Sequence, residues 1–119
     1  MRNFRNYDFW QDAKRLAKEV YILTINFPQK EQYALCDQLS RAVVSIPSNI
    51  AEGAGRESEA DFAHFLDIAI GSSYEVETQI DIAFDLGYIT KEQHQGIIDQ
   101  LQSIERRISA FSNRLRKKS

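Results

Sequence analysis

Residues 41–56 read RAVVSIPSNIAEGAGR, and the parsing of this stretch decides the fold. Leu35, Leu39, Ala42, Val43, Ile46 and Ile50 recur with the three- and four-residue rhythm of one helix face. Pro47 lies inside that rhythm. It lacks an N–H, and its ring crowds the carbonyl four residues back, so the helix is expected to kink or restart there. A polar cluster, Ser48, Asn49 and Glu52, follows at once. Gly53-Ala54-Gly55 then ends the helix, with Gly55 expected as a left-handed cap.

Working outward, the same reading yields three more helices. Phe9, Ala13, Leu16, Val20, Leu23 and Phe27 form a heptad seam, with Asp8 as N-cap and Pro28 as stop. Ser58-Glu-Ala-Asp61 resembles a capping box that opens a third helix through Phe62, Leu66, Ala69, Ser73, Val76, Ile80 and Ala83, closed by Gly87. Thr90-Lys-Glu-Gln93 is a cleaner box. It opens a fourth helix along Ile97, Leu101, Ile104, Ile108, Phe111 and Leu115. The predicted spans are about 8–27, 31–54, 58–86 and 90–116. The short links between them force neighbouring helices antiparallel. No period-2 run suggests a strand. The expected fold is all-α: one domain over 1–119, an up-down-up-down antiparallel four-helix bundle with its second helix kinked at Pro47 and a basic C-terminal tail.

The 119 residues suffice for a single hydrophobic core, and 43% hydrophobic with 27% charged content is ordinary for a globular protein. No apolar run is long enough to span a membrane. The opening MRNFRNYDFW lacks a signal-peptide core, and one cysteine, Cys36, allows no internal disulfide. Both features point to the cytoplasm, with Cys36 a small buried hydrophobe. The net charge of −2 conceals a segregation: residues 1–56 sum to +2, residues 57–89 to −8, and residues 90–119 to +4.

SIPSNIAEGAGR, with Trp10-Gln11 upstream and Leu86-Gly-Tyr-Ile89 downstream, resembles the four-helix-bundle proteins of ribosomal-RNA intervening sequences. The accessory variability protein of diversity-generating retroelements is of the same family. The likeness runs from about Tyr7 to Ile89. It implies a non-enzymatic, nucleic-acid-associated homo-oligomer shaped as a pentameric ring, encoded beside ribosomal RNA or a reverse transcriptase. The retroelement branch is clearly basic and binds nucleic acid and its polymerase. This sequence departs from it, with an acidic third helix and an isoelectric point near 5.7.

Motifs for catalysis are absent from the string: no HExxH, no CxxC, no nucleophile elbow and no phosphate-cradling loop. Asp61-Phe-Ala-His64 is a single aspartate version of the paired Glu-x-x-His that a di-iron bundle needs, and His94 stands among glutamines. Both histidines read as solvated, and neither a metal nor a cofactor is expected. Three groups of residues remain. The first is cationic: Lys14, Arg15 and Lys18 on the first helix, with Arg106, Arg107, Arg114, Arg116, Lys117 and Lys118 on the last. These suit phosphate backbones, or simply complement a helix dipole and solvate the tail. The second is the family-motif cluster Ser48, Asn49, Glu52 and Arg56. It either docks a partner or satisfies carbonyls freed by Pro47. The third comprises apolar residues beyond one seam per helix: Trp10, Tyr21, Ile22 and Ile25 on helix one, Phe65, Ile68, Ile82 and Leu86 on helix three. A second apolar face calls for a second partner, most simply another copy. The expected partners are therefore the chain itself, RNA or DNA, or a partner protein, with no membrane.

Overall fold

The computed structural model describes residues 2–118. Four helices follow one another: α1 (Asp8–Thr24), α2 (Leu35–Ala54), α3 (Glu59–Asp85) and α4 (Lys91–Lys118). Short 3₁₀ turns at Phe4–Asn6 and Gln29–Glu31 precede α1 and α2. Among the described residues there is no strand. α1 packs on α2 and α4, and α3 packs on the same two, so α1 and α3 stand diagonally. Ser45 faces Ser72 while Gly53 faces Phe62, and Asp67 meets Arg116 while Asp81 meets His94. Such opposed numbering is that of antiparallel neighbours.

The seam residues are the core. Leu16, Val20, Leu39, Val43, Ile46, Ile50, Phe62, Leu66, Ile80, Leu101, Ile104 and Ile108 are almost wholly buried. Each such side chain contributes about 1.5–3 kcal/mol on burial. At one end Tyr7, Phe9, Phe62 and Phe111 form a ring cluster with centroids 5.1–6.0 Å apart. Tyr7 and Phe9 stack there, while Phe111 stands edge-on to Tyr7 and Phe62.

Several helix ends differ from the periodicity. α1 stops at Thr24 because its last turn tightens: Ile25 and Phe27 donate to the carbonyls of Ile22 and Thr24, three residues back. α2 begins at Leu35 rather than Glu31, since residues 29–34 form turns. There the Gln32 amide donates to the carbonyls of Thr24 (3.3 Å) and Phe27 (3.1 Å), and Tyr88 donates to Glu31 at 2.7 Å. α2 passes through Pro47 without interruption. Gly55 is no left-handed cap, for its φ is −81°. Asp8 lies inside the first turn of α1, with Tyr7 at the cap position. Gly87, at φ +80°, does adopt the left-handed conformation. Both capping residues act: the Asp61 N–H donates to Ser58 Oγ at 3.0 Å, and Thr90 and Gln93 satisfy each other's backbone N–H.

Candidate nucleic-acid interface

The antiparallel arrangement brings the N-terminal turn, the end of α2, the start of α3 and the end of α4 to one end of a 46 Å bundle. The terminal cations of α4 are thus gathered beside Arg2, Arg5 and Arg56. Much of that charge is answered internally. Arg107 pairs with Asp12 at 2.7 Å and Asp8 at 3.4 Å, and Arg15 also reaches Asp12 at 2.7 Å. Arg116 pairs with Asp67 at 2.5 Å and donates to Ser112 Oγ at 2.8 Å. Burial works against a charge on Asp12, but the hydrogen bonds and charges of Arg107 and Arg15 outweigh it and hold the carboxyl below its ordinary value.

The other predicted cations are presented outward. Lys14 lies over the Trp10 ring (5.5 Å to the centroid) and Arg114 over Phe111 (5.5 Å). Lys18, Arg106, Lys117 and Lys118 are exposed and enter no salt bridge among the described residues. Lys14, Arg15 and Lys18 line an open groove with Trp10 and Gln11, of about 440 Å³. Arg15 and Arg107 share a second, of about 350 Å³, with Asp12 and Asp99. The second is of mixed sign and the first purely cationic, so the α1 groove is the better seat for a phosphate.

Arg2 was not among the predicted site residues, yet it organises this end. Its guanidinium donates to the carbonyls of Ala54 (3.2 Å) and Arg56, pairs with Glu59 at 2.7 Å, and lies over the Phe62 ring. It thereby satisfies carbonyls at the C-terminal end of α2, which no intrahelical N–H can reach. Its hydrogen-bond partners lie 52–57 residues away, a separation that leaves no local signal.

The family-motif cluster divides. Ser48 points to solvent. Asn49 is half-buried and donates to the Ser45 carbonyl (2.8 Å) and Oγ (2.9 Å), while Ser45 Oγ meets Ser72 Oγ at 2.8 Å. Asn49 thus ties α2 towards α3 through Ser45; the carbonyl that Pro47 frees, on Val43, is not among its partners. Glu52 and Arg56 pair on the surface at 3.4 Å, and Arg56 covers the Phe65 ring at 4.6 Å. Nor is His94 solvated as expected. It stacks on Phe84 (centroids 4.7 Å apart) with Nε2 2.7 Å from Asp81. His64 is exposed, edge-on to Phe65.

Of the extra apolar residues, Tyr21, Ile22, Ile25, Ile68, Ile82 and Leu86 are exposed, Ile25 to 72%. Trp10 and Phe65 are half-buried. Trp10 is half-covered edge-on by Phe4, and Phe65 by Arg56 and the seam at Gly53. Tyr33, which the periodicity passed over, is 92% exposed in the turn before α2.

No helix among the described residues is long and apolar enough to cross a membrane. No curated protein matches the chain in sequence. Its fold is similar to that of a protein of unknown function from the S23 ribosomal protein family of Bacteroides thetaiotaomicron VPI-5482, solved by crystallography at 1.70 Å. The TM-score is 0.81 at 23% identity, over 88% of this chain and 95% of that one. Residues 5–110 match the family described as 23S rRNA-intervening sequence protein. With nearly its whole length matched, the chain belongs to the 23S rRNA-intervening sequence protein family.

Proposed function

We propose that this protein is a non-enzymatic, cytoplasmic homo-oligomer, a ring of five, that grips structured RNA or DNA through cations on α1 and α4. One observation carries the reading: Lys18, Arg106, Lys117 and Lys118 stand exposed without a salt bridge among the described residues. Self-association is supported by uncovered apolar residues on diagonal helices, Tyr21, Ile22 and Ile25 on α1 and Ile68, Ile82 and Leu86 on α3. Joining α1 of one copy to α3 of the next is a head-to-tail contact, the kind that closes into rings. Lys14 and Lys18 on α1 and Glu75, Asp81 and Asp85 on α3 give the two faces opposite charge, which fixes partner and register. Repetition around a ring would turn a weak patch into a multivalent one.

The test is fluorescence anisotropy of a labelled structured RNA, titrated at salt from about 50 to 200 mM. Affinity is expected to fall steeply with salt. Replacing Arg114, Lys117 and Lys118 with glutamine should flatten the log–log slope by about 0.9 for each phosphate that is no longer neutralised. Unchanged binding by that variant would remove the α4 end from the interface.

A second reading, a scaffold that docks a partner polypeptide such as a reverse transcriptase and leaves nucleic acid alone, is favoured by one observation. Arg2, Arg15, Arg107 and Arg116 already answer carboxylates within the chain. Absence of RNA binding at low salt, with pull-down of one protein that survives nuclease treatment, would select it.

A further inference from the structure

Between α3 and α4 stands a buried carboxyl group. Glu105 is only 9% exposed. Its Oε2 accepts from Oγ of Ser73, itself wholly buried, at 2.5 Å. Glu77, half-buried, stands one turn further along α3 from Ser73, on the same side of that helix. The one cation whose charge acts on it is Arg106 of α4 itself, exposed to solvent and not in a salt bridge with either acid among the described residues. At this level α1 is bracketed by the Asp12–Arg107 and Glu19–Gln100 pairs and buries Ala13 and Leu16. α2, aligned by Ser45–Ser72, buries Val43 and Ile46. Neither adds a charged group to the core there. Two carboxylates so placed, without a buried cation, cannot both stay ionised at modest cost.

We propose that Glu105, beside Glu77, holds a proton in the α3–α4 seam, forming a proton-linked latch that is closed while the proton is held and loosened as it leaves. Burial first, and then the hydrogen bond and charge of Glu77, push the Glu105 carboxyl up to about 7, against the opposing hydrogen bond of Ser73 and charge of Arg106. That proton is bound by the Glu105 carboxyl. Because the folded chain binds it more tightly than the unfolded chain, whose carboxyl titrates near 4.5, the stabilisation is fully present below that value. It is lost as pH rises through about 7.

The test is urea unfolding of the full chain at fixed concentration, from about pH 5 to about pH 8, for the wild type, Glu105→Gln and Glu77→Gln. Glutamine at 105 keeps an acceptor for Ser73 and does not titrate. Over that range the wild-type folding equilibrium should weaken on the order of tens-fold more than that of Glu105→Gln. Glu77→Gln should move the wild-type loss towards lower pH or abolish it. Equal pH dependence in the wild type and Glu105→Gln would overturn the latch. Independently of any variant, the ¹³C carboxyl shift of Glu105 in the wild type should inflect near 7, and an inflection in the ordinary carboxylate range would overturn it as well.

Discussion

Gly53 of α2 lies directly against Phe65 of α3: a methyl group placed on Gly53 would stand 2.6 Å from the Phe65 Cβ and 3.3 Å from the Phe62 carbonyl. Nothing flexible is available to move, because these atoms belong to the trunk of α3. The glycine in SNIAEG is therefore a packing requirement that lets two helices approach closely.

Gly53→Ala should consequently destabilise the bundle by about 1–3 kcal/mol, the usual range for an overpacked seam. Gly71→Ala is the control. That glycine is exposed within α3 with no atom within 4 Å, so the same change should stabilise by about 0.5–1 kcal/mol. Urea denaturation of both variants checks the opposite signs.

Arg107→Gln should cost about 1 kcal/mol or less at neutral pH, since its partners Asp8 and Asp12 are partly solvated. The sign with pH is fixed by Asp12. Its carboxyl lies below the ordinary 3.8 when folded, so the stabilisation is present above that value and fades as pH falls through the folded one. The gap between wild type and Arg107→Gln in thermal melting should accordingly narrow in strong acid.

Arg2→Gln should cost about 1–2 kcal/mol by leaving the carbonyls of Ala54 and Arg56 without their donor and Glu59 without its cation. Hydrogen exchange should rise first in the last turn of α2 and the first turn of α3. Protection unchanged there would mean that water replaces the guanidinium without loss.

Ile82→Lys places a charge on an exposed position and should leave the bundle's own melting nearly unaltered, within about 0.5 kcal/mol for a surface site. In the proposed oligomer the same position is buried, so the variant should sediment as a smaller species than the wild type. An unaltered sedimentation coefficient would take Ile82 out of the contact.

The helical seams were legible because 3.6-residue periodicity is what burial against neighbours writes into a sequence, and Leu16, Leu39, Leu66 and Leu101 all lie in the core. The box at Thr90–Gln93 was legible because capping is local. Helix ends set by distant residues were not. α2 begins late because Gln32 and Glu31 serve α1 and Tyr88, contacts made between turns. Of the candidate site, the sequence identified the cations but not which of them face acids: the Arg116–Asp67 pair spans 49 residues. Glu105 did leave a trace. Leu101, Glu105, Ile108 and Ser112 keep seam spacing and are all buried, but a glutamate in that register reads as surface until the fold places Ser73 opposite it.

Multivalency rests on self-association, and the most direct measurement is sedimentation equilibrium of the purified wild type at micromolar concentration. A mass several times that of the 13.7 kDa chain, best fitted by a single closed species, is the predicted result. A species of 13.7 kDa across the concentration range would contradict the ring and leave the exposed stripes of α1 and α3 to another partner.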